Sequence, residues 1–430
     1  MYTSMSSPTR EFRVAICGGG ICGLTLAVTL GKYSDIPIDI YESATELGTV
    51  GLGLVVFKRT WEILRTLGLD AGMNKRCIPI PTENKTAAAI IRLSEQPTVG
   101  EEIFRLITPY SPISLARTDL VDMLKELLPQ TCMIHTSKRL TSYTQSSNGS
   151  ITLNFADGSI AMAGVLIGAD GIRSAVRDTM FKLLQKQNEL PGQLRSPEGF
   201  RKAVEPIWTG TRVYRGLISA EKLRKIYPEH TIISGLTCGT LINILAFVTE
   251  LDKEGMPFGE KWVSEASKED VMEHFKGWEP QIKEMFQCLD SIVPCWAVHT
   301  MGHLPLCVSD HVAIAGDADA YMLGRILSHQ FISPKTIPLA LRIYQDLRLS
   351  LVNDIVASAT EAGLMYEFNS GIYHGRDIAD EKKVKQWADK IYIKWQFQWT
   401  GSPEEDWEEA KRRIEEMIPD IGTQRSDEKY

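Results

Sequence analysis

No apolar run in this 430-residue chain approaches the roughly 20 residues needed to cross a bilayer. The longest, LINILAFV at 241–248, has the length of a buried strand. The opening MYTSMSSPTREF has no apolar stretch, so no secretory signal is expected, and the closing QRSDEKY carries no lipid-attachment motif. Neither sign of charge dominates: 47 basic against 54 acidic residues leave a net −7, which argues against a general nucleic-acid or anionic-membrane partner. Repeats and low-complexity segments are absent. The cysteines at 17, 22, 77, 132, 238, 288, 295 and 307 form neither CxxC nor a zinc-like cluster, so reduced thiols in a cytoplasmic protein are expected. His299 and His303 have the spacing of a helical metal pair, but WAVHTMGHLP reads as strand and turn, which parts them.

The length exceeds one simple core and suits two interleaved domains with an appendage. FRVAICGG at 12–19 reads as a buried strand, ICGLTLAVTLGKY as a helix and IPIDIYES at 36–43 as a second strand, a β-α-β unit. Helices are expected over 57–69 and 117–129, the latter capped by Thr118 or Asp119. Residues 142–159 alternate with period two around Asn148-Gly149 and Asp157-Gly158, two hairpin turns. The polar, Pro- and Gly-rich 187–204 reads as a linker, and strands are expected at IWTGTRVYRGLIS, TIISGLT, TLINILAFVTE and near 293–299. After 370 the chain is helical: Val384, Trp387, Ile391 and Trp395 share one face, and Trp407, Ala410, Ile414 and Met417 another, behind a Ser402/Glu405 capping box.

VAICGGGICGLTLAV contains Gly18-x-Gly20-x-x-Gly23 between strand and helix, and Glu42 ends the next strand nineteen residues on. Gly18 suits a tight turn, Gly20 close approach of backbone amides to a pyrophosphate, and Gly23 helix-to-strand packing. Glu42 suits an adenosine ribose. The fingerprint alone does not separate NAD from FAD.

Two further Asp-bearing strand ends, GADGIRSAVR at 168–177 and VAIAGDA at 312–318, complete a set. In this order the motifs resemble the class A flavoprotein monooxygenases of the para-hydroxybenzoate hydroxylase fold, most closely their fungal salicylate-hydroxylase-like branch, over roughly residues 12 to 365. The resemblance implies an α/β fold: a Rossmann-type FAD-binding domain (11–75, 110–185 and 295–365) interleaved with a mixed α+β substrate domain (76–109 and 186–294), plus a C-terminal helical tail (366–430). It implies FAD as cofactor, NADH or NADPH as co-substrate, O2 and a small aromatic substrate, in a monomer or homodimer. Gly18, Gly20, Gly23 and Glu42 would hold the adenosine diphosphate, Gly51 and Gly53 the passage beside the flavin, Arg117 the region of the phosphates, Asp170 and Gly171 the family's DG motif, and Asp317 the ribityl chain. Arg215, in RVYRGLIS, stands where this branch has an arginine that pairs with a substrate carboxylate or phenolate; a charge facing water on an edge strand is the alternative.

One departure stands out. In the family, GDA is followed by a His, a Pro and a glycine run that opens a helix toward the flavin ring. Here VAIAGDADAYMLGRILSHQF passes from Ala318 to Asp319 and straight into that helix. The ring half of the site is expected to be cut away while the adenosine half remains. The helix should start near Asp317 or Asp319, capped by its own carboxylate, and the shortened junction should be strained, re-routed or poorly ordered. Either the gene product lacks the segment, giving a weak enzyme or a silent nucleotide- or flavin-binding protein, or an exon boundary removed it. A flavin enzyme acting on a non-aromatic intermediate shares every motif.

Overall fold

Four parallel pairings organise the larger half of the molecule. In the computed structural model, which describes residues 12–48, 53–76, 78, 80, 82–234, 241–259, 261–373 and 380–417, a six-stranded sheet runs Val308–Ser309, Val312–Ile314, Val165–Gly168, Val14–Cys17, Ile38–Tyr41, Cys132–His135. Only the edge pair of Val308–Ser309 with Val312–Ile314 is antiparallel. The central strands VAIC and IDIY are buried at every position, as both faces of a parallel sheet are covered by helices. The first helix, Ile21–Tyr33, lies against the helix Ala320–Ser328 within one apolar core.

A three-stranded meander, Leu140–Gln145, Ile151–Phe155 and Ile160–Ala163, turns at Gly149 and Gly158 as the period-two pattern requires. The substrate-domain sheet is antiparallel, ordered Leu241–Thr249, Ile207–Ser219, Ile292–Thr300, Val263–Ser267. Its alternation is strict: Ile242, Ile244 and Ala246 are buried with Tyr214 and Ile218 against helices, while Leu241, Leu245 and Phe247 are exposed on the other face with Leu217.

Three expectations are corrected. Thr231–Ser234 is a helical turn, not a strand, because the His230 ring accepts the Ile232 N–H (3.2 Å) and bends the chain; the rest of TIISGLT lies outside the described residues. The expected linker folds as a 3-10 turn at Gly192–Leu194 and a helix at Pro197–Val204, whose N-cap Ser196 accepts from Gly199 N–H. The helix expected to be capped by Thr118 or Asp119 begins at Arg117 itself, with Ala116 at the cap position.

A two-stranded hairpin, Thr86–Leu93 with Glu101–Thr108, is fastened to the body by Glu279, which is 1% exposed. Its carboxylate accepts from Arg92 (2.8 Å), Ser94 Oγ (2.7 Å) and Gly100 N–H (2.6 Å). Glu279→Ala takes a buried acceptor away from three partly buried donors and is expected to lower unfolding free energy by about 2 kcal/mol in urea melts.

Among the described residues the tail packs as two helices, Glu381–Trp395 and Pro403–Met417, behind the long helix Ile337–Tyr366. Trp387 and Ile391 are fully buried, and Trp407, Ala410 and Ile414 enter the main core, whereas Met417, expected in that stripe, is exposed. Among the described residues no helix is long and apolar enough to cross a membrane.

Candidate active site

The Val14–Cys17 strand turns into the first helix at Gly18, whose φ of +108° and contact of 2.2 Å between a built Cβ and Ala169 O exclude any side chain. Gly23 lies so close beneath it that a Cβ would sit 2.0 Å from Gly18 O. Gly20 is different. It is the N-cap of the helix, and a Cβ there meets only Arg117 Nη2, at 3.9 Å, so its front is open. The helix has neither a side-chain cap nor an acid in its first turn. Its dipole and first-turn amides therefore favour an anion at this end, with Arg117 beside it.

Glu42 is held in place rather than swinging free. Its carboxylate accepts from Gly19 N–H (2.8 Å) and Ala44 N–H (2.7 Å) at the mouth of a cavity of about 330 Å³. The cavity continues past Gly18 to Asp170 and Gly171, so the first and second motifs line one space. Asp170 Oδ2 accepts from Ala175 N–H (2.7 Å) and Val176 N–H (3.2 Å) at the start of the helix Ala175–Lys186, and Oδ1 is buried with no hydrogen-bond partner. An orphaned carboxylate oxygen in such a cavity is satisfied by a hydroxyl donor, which a ribose supplies. Lys138, Arg139 and Arg173 also line this space; Arg173 lies within GADGIRSAVR but outside its DG pair, and no motif marks Lys138 or Arg139. Arg173 lies over Trp262 (3.7 Å), which in turn stacks on His299 (3.6 Å), so His299 sits in an aromatic stack between sheet and cavity.

The third motif arrives at the same helix end. The Cys22 backbone N–H bonds the Asp317 carboxylate, and Cys22 Sγ donates to Gly316 O (3.2 Å). Asp317 is open to the cleft, yet the protein crowded around it pushes its carboxyl above the ordinary range, with Arg117 pulling the other way. Gly20, Arg117 and Asp317, far apart in the chain, thus converge.

At the shortened junction the helix Ala320–Ser328 starts with Asp319 at its cap position, where the sequence places it. The capping itself is corrected: Asp319 has φ −104° and ψ −26°, outside the extended region from which an N-cap side chain reaches the helix amides. Its carboxylate instead accepts from Gly316 N–H (3.1 Å) and Arg348 Nε (3.0 Å). Burial pushes the Asp319 carboxyl up, against the pull of Arg348. The junction, expected to be strained, re-routed or poorly ordered, is held at its helix end: Asp319 is 2% exposed, Arg348 4%, and Arg348 Nη2 donates to Ala318 O (2.8 Å), while Gly316 to Ala318 are exposed. Sequence reasoning missed Arg348, which lies in a helix with no motif around it.

Arg215 stands apart from this cluster, on the substrate-domain sheet. Its strand is central rather than at an edge, paired on both sides. The guanidinium is half-buried over Trp296 (4.9 Å), Nε is buried with no hydrogen-bond partner, and burial lowers its proton affinity. Across from this sheet, Gly53 begins the strand Gly53–Val56, and a Cβ on it would lie 3.5 Å from Asn243 Nδ2. Gly53 therefore sits against the open apolar face; Gly51 lies outside the described residues.

The described residues suit the adenosine diphosphate half of FAD: an uncapped helix end, a cation beside it, an anchored acid and an orphaned acceptor in one cavity. Comparison with known proteins agrees. A family model for an FAD binding domain matches residues 11–190. The FAD-dependent monooxygenase str9 of Strobilurus tenacellus is 28% identical, over 95% of this chain and 99% of its own. That alignment spans 468 positions, more than this chain's 430 residues, so the relative carries residues with no counterpart here. A salicylate hydroxylase of Pseudomonas putida is 26% identical over 94% of this chain and 95% of its own. The structure of a salicylate hydroxylase substrate complex superposes with a TM-score of 0.74 at 25% identity, covering 94% of this chain and 98% of that one. By its motifs, its sheets and these relatives, the chain is an FAD-dependent monooxygenase of class A, similar to the salicylate hydroxylases.

Proposed function

We propose that this monooxygenase hydroxylates a small phenolic substrate carrying an acid group, with NADH or NADPH and O2, and that the form described by this sequence does so weakly. The observation that carries the substrate reading is Arg215, a half-buried cation with an orphaned Nε on an otherwise apolar sheet face. Burying a guanidinium without a counter-ion costs free energy, and an anionic ring ligand removes that cost. Trp296 beneath the guanidinium and Leu217, Leu245 and Phe247 around it offer the apolar remainder.

In this reading Gly20 and Arg117 hold the pyrophosphate, Gly18 and Gly23 shape the turn, Glu42 and Asp170 take ribose hydroxyls, Asp317 takes the ribityl chain, and Gly53 and Gly171 line the passage. FAD, reduced by the nicotinamide donor, supplies the oxygen chemistry. The chain's part is to orient the phenol, hold its acid at Arg215 and keep water out beneath the apolar sheet face. The short junction supports weak activity. Where the family places glycine amides, this chain has Asp317 and the Arg348-bound Asp319, and Asp319 takes the Gly316 N–H that a ring edge would otherwise use.

Purified protein reconstituted with FAD is expected to be yellow and to consume NADH slowly when an ortho-carboxylated phenol is added. Protein that takes up no flavin contradicts the reading. Arg215→Met is expected to raise KM for that acid about 30-fold, with little change for the neutral amide analogue. Equal losses with both substrates would show that Arg215 does not read the acid.

A further inference from the structure

Both loops that border the proposed ring site are tied to the C-terminal helix through one carboxylate. Asp406, in the first turn of Pro403–Met417, bonds Arg59 Nη2 on one side and Arg348 Nη1 (3.4 Å) on the other. Arg348 continues to Ala318 O and Asp319, so it holds the shortened junction. Arg59 belongs to the helix Lys58–Leu67, which follows directly on the strand Gly53–Val56. The same tail adds apolar weight on that side: Trp399 and Trp395 pack on Phe57, the residue between strand and helix, at 5.9 and 6.2 Å. On the junction side, Glu404 pairs with Arg325 (3.3 Å), whose guanidinium lies over Trp407 (4.3 Å).

We infer that the C-terminal extension is a clasp that sets the spacing between these two walls, and that Asp406 is its positioning residue. The physical reason is geometric. The Gly53–Val56 strand forms only a two-stranded ribbon with Ile113–Ala116, and two-stranded ribbons are marginal alone. The junction 315–319 has lost the segment that would otherwise brace it. A carboxylate shared by two guanidiniums from the two walls couples them, and it does so where Arg348 is buried and the attraction is weakly screened. The inference rests on the FAD site proposed above for its functional consequence, but not for its structural content.

The test uses the whole chain, with Asp406→Asn, Asp406→Glu and, should Asp406→Asn fold poorly, Arg59→Gln. Amide hydrogen exchange is measured on protein without flavin, and FAD affinity by quenching of flavin fluorescence. Asp406→Asn is expected to speed exchange about tenfold in peptides covering both 53–57 and 315–319, leave the strand 207–219 unchanged, and weaken FAD binding about tenfold. Asp406→Glu is expected to recover most of both effects. Exchange that changes at neither wall, at one wall alone, or uniformly across the molecule overturns the clasp. Wild type that takes up no FAD overturns the site assignment instead, and the exchange result still decides the clasp.

Discussion

Restoring the family's His-, Pro- and Gly-bearing segment between Ala318 and Asp319 is expected to raise substrate-dependent NADH oxidation at least about a hundredfold. The argument runs through donors. Catalysis at an electron-rich ring edge needs hydrogen-bond donors fixed before charge develops, and removal of one such donor typically costs about 3 kcal/mol. In this chain the amide of Gly316 is spent on Asp319 (3.1 Å), and Asp319 is spent on Arg348. A glycine run would add several amides, and the downstream helix is already seated in the core, with Ala320, Leu323, Ile326 and Leu327 fully buried. The insertion therefore extends an existing helix rather than building one. Steady-state NADH oxidation and product detection check it. An unchanged rate with full flavin content would place the deficiency elsewhere, in the substrate sheet.

Gly20→Ala is expected to fold as wild type and bind FAD about a hundredfold more weakly. The two other glycines of the motif behave differently, and the difference makes the test informative. Gly18→Ala forces φ +108° on an L-residue and drives a methyl into Ala169 O at 2.2 Å; Gly23→Ala does the same to Gly18 O at 2.0 Å. Both should unfold the β-α-β unit and so report nothing about ligand. At Gly20 the backbone is extended and the new methyl has open space to 3.9 Å. The melting temperature without flavin should fall by only about 2 °C, since alanine is a poorer N-cap than glycine by about 1 kcal/mol and a chain of this length loses little melting temperature per kcal/mol. What the methyl occupies is the front of the helix end, where a pyrophosphate would make contact. Equal FAD affinity in Gly20→Ala and wild type would remove the phosphate from this helix.

The parts of the fold that were legible are those with local signals. The glycine fingerprint, Glu42, and the Asp170 and Asp317 strand ends each sit within a few residues of a strand terminus, so a short stretch carries both the element and the chemistry. LINILAFV, expected as a buried strand, is a strand buried on one face only: Ile242, Ile244 and Ala246 turn inward, while Leu241, Leu245 and Phe247 are exposed. What escaped has no local signature. Arg348 meets Asp319 across 29 positions and Asp406 across 58, and neither neighbour is implied by anything in IYQDLRLS. Thr231–Ser234 failed for the opposite reason: Thr-Ile-Ile favours a strand intrinsically, but a ring hydrogen bond from the preceding histidine decides the local backbone. The capping of the shortened helix was misread because the competing partner, Arg348, lies in a different helix.

The proposed function rests on a single physical claim: that this chain cradles an adenine dinucleotide while the surface for the flavin ring is short of donors. Titration of flavin-free protein with FAD, ADP and FMN, followed by calorimetry, addresses it directly. FAD should bind one per chain, ADP should compete with an affinity within about tenfold of FAD, and FMN should show no measurable binding. FMN binding as tightly as FAD, or FAD binding that ADP does not displace, would contradict the account.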